Sequence, residues 1–210
     1  VAKTGKPTFL STGAATIDEI EWAVNHFFKN NGKNLTLLQT TAKYPAPLES
    51  LNIYSMDVLK DNFNVSVGLS DHSIDPTIGP VCATALGASV IEKHFTLNKK
   101  LPGPDHSFAL DPLELKEMIN AIRNCEKCLG SKEKIVQDYE LELRDFAQRS
   151  IQCIKNISKG EFFLEGVNFA ILRSGKRNKG IHPKFLETLE GKAATRSISI
   201  GDGILKTDYE

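Results

Sequence analysis

Several absences narrow what this 210-residue chain can be. It has no excess of charge of either sign. Its 26 Lys and Arg balance 26 Asp and Glu and are interspersed with them, so the basic footprint of a nucleic-acid-binding protein is missing. No apolar run approaches the roughly 20 residues that cross a bilayer, and the first residues do not read as the apolar core of a signal peptide. Neither nucleic acid nor membrane is therefore expected as a partner. Cysteine is sparse: Cys82, Cys125, Cys128 and Cys153 form no dense framework, which argues for a reducing, cytoplasmic setting. Cys125 and Cys128 make a C-x-x-C, but it falls late in an amphipathic helix pattern and has no second pair, so it reads as structural. The chain opens at Val1-Ala2-Lys3 without a Met and enters a strand pattern almost at once, and the expectation is the downstream part of something longer.

What is there centres on residues 64–107. Val65–Leu69 is a short β-branched run followed by Ser70-Asp71-His72-Ser73, and Ala88–Ile91 is a second run ending in Glu92-Lys93-His94-Phe95-Thr96. Between them Ile78–Leu86 is small and apolar, as suits a crossover helix lying close to a sheet. Each histidine thus falls just past the end of a strand, one strand–helix unit from the other. Adjacent parallel strands lie about 4.8 Å apart, so both imidazoles could reach one point above the sheet. The carboxyl ends of parallel strands are where α/β proteins gather their sites. A lone His there would read as a loop cap; two in matched positions, with Asp71, Glu92, Lys93 and Asp105 nearby, read as a site. Lys93 is expected either in a barrel interior or paired with Glu92.

The rest of the chain supplies the frame. Pro7–Leu10 reads as a strand and Thr16-Ile17-Asp18-Glu19 as a capping box, with Ile17, Ile20, Val24, Phe27 and Phe28 on one helical face. Leu35–Leu38 is a further strand and Leu51–Phe63 a second helix, with Leu51, Tyr54, Val58 and Leu59 as its apolar positions. Asn98–Ser107 is a loop rich in breakers, and Asp111-Pro112 starts the longest helix, which buries Leu115, Met118, Ile119, Ile122 and Leu129 and stops at Gly130. Four strand–helix units in a row predict half of an eight-unit (β/α)8 barrel, with an open four-stranded sheet as the structural alternative. Lys132–Asp145 reads as a linker or short helix. Strand candidates then fall at Ser150–Ile157, Phe162–Leu164, Asn168–Leu172 and Ala193–Ile200, with a helical turn or two at Lys184–Leu189. The predicted division is 1–131 for the half-barrel, 132–148 for a linker and 149–210 for a β-rich module. His106 and His182 read as structural loop residues, and Lys176-Arg177-Asn178-Lys179 as a solvated basic loop.

Several of these stretches carry a resemblance. Gly68-Leu69-Ser70-Asp71-His72-Ser73, Glu92-Lys93-His94-Phe95-Thr96 and Gly103-Pro104-Asp105-His106-Ser107-Phe108 resemble consecutive motifs of the sialic acid synthase family. Leu10-Ser11-Thr12-Gly13 and Tyr44-Pro45-Ala46-Pro47 fit the same register. Lys159-Gly160-Glu161, Leu172-Arg173, Gly180-Ile181-His182-Pro183 and Leu189-Glu190-Gly191-Lys192 resemble the family's antifreeze-like (SAF, β-clip) domain. The resemblance implies the C-terminal half of a TIM barrel followed by that small β-rich domain, with the N-terminal half-barrel outside this chain. It also implies a homodimer formed by swapping the SAF domain. The implied reaction condenses phosphoenolpyruvate with an N-acetylmannosamine-type sugar and releases phosphate, with a divalent metal, most commonly manganese, although Mg, Co or another ion suits the same donors. On the family pattern His72 and His94 hold the metal. Ser11 and Ser70 contact phosphoenolpyruvate, Tyr44 and Asp105 the amino sugar, and Arg173 the sugar's acyl group from the partner's side. Ala42, where some members have Asn, and Arg173-Ser174-Gly175, where Arg-Pro-Gly is usual, depart from the pattern. Two other readings of the residues stand beside this one: a fragment that binds a sugar or a partner without turnover, and a metal-dependent barrel aldolase that needs no phosphoenolpyruvate.

Overall fold

The parallel ladder runs further than the β-branched runs that mark it. In the computed structural model, which describes residues 1–210, β1 (Thr8–Ser11), β2 (Leu35–Thr40), β3 (Ser66–Asp71) and β4 (Val90–Lys93) pair in parallel in the order β1-β2-β3-β4. The expected strands end earlier than these. The added residues are polar, and each is held by a neighbour in register: Thr40 beside Ser70, Ser70 beside Glu92, and Asp71 beside Lys93. Ser70, Asp71 and Lys93 are therefore strand residues.

Alternation then sorts every side chain to one of two faces. Leu10, Leu37, Val67, Leu69 and Ile91 pack with Ile20, Val24, Phe27, Met56, Leu59 and Ala83 from the helices, so one face carries the core. The other face carries Phe9, Ser11, Thr36, Leu38, Thr40, Ser70 and Glu92, and Phe9 is exposed on it. Helices on one face of a four-stranded parallel sheet are the layout of an α/β half-barrel. The helices are α1 (Ile17–Lys29), α2 (Ser55–Phe63), α3 (Ile78–Ala85) and α4 (Pro112–Leu129).

The helix boundaries follow their caps. Thr16 and Glu19 form the expected capping box, and Asp111 caps α4 with Glu114 reaching back and Pro112 in the first turn. One expectation fails: Leu51 does not open α2. Asn52 takes a left-handed conformation (φ 45°), which breaks any helix between Leu51 and Ser55, and Leu48–Ser50 forms a separate 3-10 turn. The apolar stripes are also narrower than their spacing suggests. Ile17, Phe28, Tyr54, Val58, Ile119 and Leu129 are exposed, because a helix lying on one sheet face covers only the residues along its line of contact.

The chain divides after Lys132. The second unit, Glu133–Glu210, begins with a 3-10 turn at Asp138–Glu140 and α5 (Leu141–Ala147), where a linker or short helix was expected. β5 (Arg149–Cys153) pairs antiparallel with β6 (Phe169–Arg173), and Ile151, Ile157, Phe163, Phe169, Leu189 and Ile204 form its core, with Leu189 closing the short α6 (Leu186–Leu189). Ala193–Ile200 and Phe162–Leu164 are not strands. They make only single bridges, such as Phe162 to Ala193 and Ile157 to Ile198, because no continuous neighbour runs alongside them. Arg196 instead grips the buried Asp208 through two charge-assisted bonds of 2.7 and 3.0 Å.

Gly68 marks the tightest contact in the sheet: a Cβ there would stand 2.3 Å from the Val90 carbonyl oxygen and 2.8 Å from Leu38. Because backbone cannot yield as a side-chain tip can, Gly68→Ala is expected to destabilise the first unit by about 1–3 kcal/mol. Trp22 is the single tryptophan and lies in α1, so the urea midpoint of its fluorescence reads that unit directly. An unchanged midpoint would mean that β3 and β4 are not packed in this register.

Candidate active site

The carboxyl ends of β3 and β4 bring four rings together. His72 leaves β3 and His94 leaves β4, and their ring centroids are 5.3 Å apart at a steep angle. Tyr44, from the loop after β2, lies over His72 at 4.1 Å and edge-on to His94 at 5.9 Å. Phe108 closes the cluster from below, 5.1 Å from His94 and almost fully buried. The loop that carries it returns along β4, where Leu110 N–H donates to the His94 carbonyl and Thr96 N–H to the Leu110 carbonyl. His106, expected as a loop residue, is one: its Nδ1 lies 2.8 Å from the Thr96 hydroxyl.

The two imidazoles are oriented differently. His72 is buried, and its Nδ1 is 2.8 Å from the Thr41 carbonyl oxygen. A carbonyl only accepts, so Nδ1 carries a proton, and in the neutral ring it is Nε2 that holds the lone pair. His94 is partly exposed, and its Nδ1 is 3.5 Å from a carboxylate oxygen of Asp105, which projects from the breaker-rich loop. An outer hydrogen-bond partner on one ring nitrogen is how proteins present the other to a cation. No cluster of three or more His, Cys, Asp or Glu side chains is arranged to hold a metal. The two imidazoles offer two nitrogen donors, a set that a divalent ion could use while keeping its other positions open.

Around the pair the inner face is polar. Ser70 is buried beneath it and donates a 2.7 Å bond to Glu92, so Glu92 faces the site from β4. Ser11 is exposed at the end of β1 on the same face, but β1 and β3 are separated by β2, roughly 10 Å across the sheet. It shares the face without joining the ring cluster. Arg173 ends β6 in the second unit. The structure thus brings together His72, His94, Tyr44, Ser70 and Asp105 from the residues singled out in the sequence. Phe108 and the Thr41 carbonyl were missed. The first is a buried aromatic with no polar group to draw attention, and the second is backbone, which no side-chain pattern reveals.

Lys93 is a correction. It neither enters the inner face nor pairs with Glu92. Strand alternation turns it to the helix side, where its ammonium lies 2.7 Å from Asp71, and both side chains are almost wholly buried, 3% and 0% exposed. The segment leading to α3 is held in addition by the Asp75 carboxylate, which accepts from Ile78 N–H at 2.7 Å and Thr77 N–H at 2.8 Å. Burial pushes the Asp75 carboxyl up, but the bonds from Ile78 and Thr77, with the nearby Lys93 charge, outweigh it and hold the group below its ordinary value.

Polar residues of this kind gathered where parallel strands end define a site of the α/β barrel type. The chain belongs to the NeuB family, which matches residues 1–134. It is 41% identical over 209 residues to a pseudaminic acid synthase of Campylobacter jejuni, covering 100% of this chain and 59% of that protein. It is 42% identical over 199 residues to an N,N'-diacetyllegionaminic acid synthase of the same species, covering 94% and 58%. Among solved structures, the spore coat polysaccharide biosynthesis protein SpsE of Bacillus subtilis superposes with a TM-score of 0.58 at 40% identity, over 100% of this chain and 63% of that one. The chain therefore spans somewhat less than two thirds of the length of these relatives. No helix is long and apolar enough to cross a membrane.

Asp75→Ala is expected to cost the first unit about 1–2 kcal/mol at pH 7, since the N–H groups of Thr77 and Ile78 lose a charged acceptor. Because the folded carboxyl titrates low, that contribution is complete above the unfolded value of about 3.9 and is lost as pH falls through the folded one. Urea midpoints should therefore differ at pH 7 and converge in strong acid. A gap that widened on acidification would contradict the assignment.

Proposed function

We propose that this chain is the C-terminal barrel half and trailing module of a nonulosonic acid synthase, which condenses phosphoenolpyruvate with an N-acylmannosamine-type sugar and releases phosphate. The observation that carries the reading is the convergence of His72 and His94, 5.3 Å apart at the ends of neighbouring strands, with Nδ1 of His72 already committed to a carbonyl. Its relatives' names, synthases of pseudaminic and N,N'-diacetyllegionaminic acids, support the same class of product.

In this reading His72 and His94 hold a divalent cation, manganese by preference, whose Lewis acidity would draw electron density from the sugar's aldehyde. Ser70 and Ser11 donate to the anionic groups of phosphoenolpyruvate, and Glu92 fixes the Ser70 hydroxyl by accepting from it. Tyr44 offers an aromatic wall to the sugar, and Asp105, half exposed, accepts from its hydroxyls while steadying His94. Residues 149–210 act as an antifreeze-like module. Swapped between the protomers of a homodimer, it would bring Arg173 to the sugar's acyl group in the partner's barrel. Further barrel units from outside these residues would cover the open face on which Phe9 stands exposed, so the 210-residue polypeptide alone is expected to bind the cation and turn over little.

Titration of the chain with manganese, followed by the loss of the free-ion EPR signal, tests the site. His72→Ala and His94→Ala should each weaken binding at least tenfold, since each removes one of two protein donors. Phosphate release from phosphoenolpyruvate and N-acetylmannosamine should appear only when the complementing half-barrel is co-expressed. Manganese binding unaffected by both substitutions would refute the metal site. Aldol cleavage without phosphoenolpyruvate would favour a barrel aldolase, and a complemented protein that binds sugar without releasing phosphate would leave only a binding module.

A further inference from the structure

The Asp71–Lys93 pair sits directly behind His72, on the opposite face of the sheet from the site. The Lys93 ammonium lies 2.7 Å from Asp71 Oδ2, 2.8 Å from the Ser73 carbonyl oxygen, 2.9 Å from the Asp75 carbonyl oxygen and 3.3 Å from the Ser73 hydroxyl. Asp71 Oδ1 in turn accepts from Ser73 N–H at 2.8 Å. One ammonium thus ties down the residue before His72, the residue after it, and the segment that leads on to α3. Room for the carboxylate is kept by Gly79 in the first turn of α3, where a Cβ would come within 2.7 Å of Asp71 Oδ2.

A buried ion pair is a poor source of stability. Desolvating two charges costs about as much as their attraction returns, and apolar residues of similar volume often serve a fold as well or better. What this pair supplies is direction. Lys93 is a three-donor group aimed at oxygens that would otherwise lie buried and unpaired, and it fixes the turn in a single path. That path sets where the His72 imidazole leaves β3 and therefore whether its Nδ1 meets the Thr41 carbonyl. The same strand end does two things by alternation: His94 enters the site from β4, and its neighbour Lys93 aims the other histidine from behind.

We infer that Lys93 and Asp71 are positioning residues for His72, fixing its tautomer and ring direction without touching substrate or ion. The inference rests on the reading of His72 as a ligand only for its consequence, and its first test needs no metal. Nitrogen-15 spectra of the histidine rings in the metal-free 210-residue chain should show His72 as one tautomer with a slowly exchanging Nδ1 proton. The double variant Asp71→Asn with Lys93→Met keeps volume and removes both charges. It is expected to lower the Trp22 urea midpoint moderately while the unit stays folded, because the Ser73 and Asp75 carbonyls lose a donor, to mix the His72 tautomers, and to weaken manganese binding by roughly 10–100-fold, the usual effect of losing outer partners of a ligand. Wild-type ring spectra in that variant would overturn the inference. So would a collapse of the midpoint together with normal ring spectra in Asp71→Asn alone, since the pair would then be merely structural. If the double variant fails to fold, Asp71→Asn decides: it keeps the Ser73 bond and the other acceptors of Lys93, and some loss of the single tautomer is required. Failure of the metal reading has a different signature, because manganese binding would then ignore His72→Ala while the tautomer still answered to Lys93.

Discussion

The parallel register between β3 and β4 is the constraint on which the rest depends. Gly68 against Val90, Ser70 beside Glu92 and Asp71 beside Lys93 are consecutive consequences of one alignment. A shift of one residue would exchange the faces. Slipping β4 against β3 would turn Lys93 to the half-barrel's inner face and Glu92 to the helices while Asp71 and Ser70 kept their sides, so both pairs would be lost and the two histidines would no longer face one another. The apolar alternation of Val67, Leu69 and Ile91 on the helix side fixes that register through burial, so the hydrophobic core and the polar site are set by the same pattern.

Two kinds of polar burial coexist within a few residues. On the inner face the polar groups are spare: the Ser70 hydroxyl finds Glu92, His94 finds Asp105 at 3.5 Å, and donors and lone pairs are left over. Behind the sheet nothing is spare, because Lys93 and Asp71 are nearly fully satisfied by one another and by the 73–75 turn. A satisfied network rigidifies, whereas an unsatisfied one is available for chemistry. The contrast separates the scaffold of the site from its working surface more sharply than residue type does, since both contain carboxylates and both contain cations or histidine.

Much of this was legible in the sequence, for physical reasons that also mark the limits. The four βα units, the capping box at Thr16, the helix start at Asp111 and the paired histidines follow from local pattern and spacing. The strand ends did not, because Ser70, Asp71 and Lys93 lack strand-like composition and are held in the ladder by partners that only the fold supplies. Lys93 could be assigned to no partner from the chain alone: whether it meets Glu92 or Asp71 depends on where alternation stops. Leu51 looked helical because its spacing fits, and one left-handed asparagine undid it. In the second unit the alternation at Ala193–Ile200 looked like a strand, but Ala194 and Ile198 are buried while Ile200 is exposed, and a strand also needs a continuous neighbour.

Two imidazoles from neighbouring strands, His72 and His94, are proposed to converge on one divalent ion. Pulsed EPR on the manganese-loaded chain, comparing natural-abundance protein with protein carrying nitrogen-15 histidine, counts the ring nitrogens bound to the ion. Coupling to two histidine nitrogens, reduced to one in either His72→Ala or His94→Ala at saturating metal, is the result this account predicts. Coupling to none, or a signal indifferent to both substitutions, would contradict it.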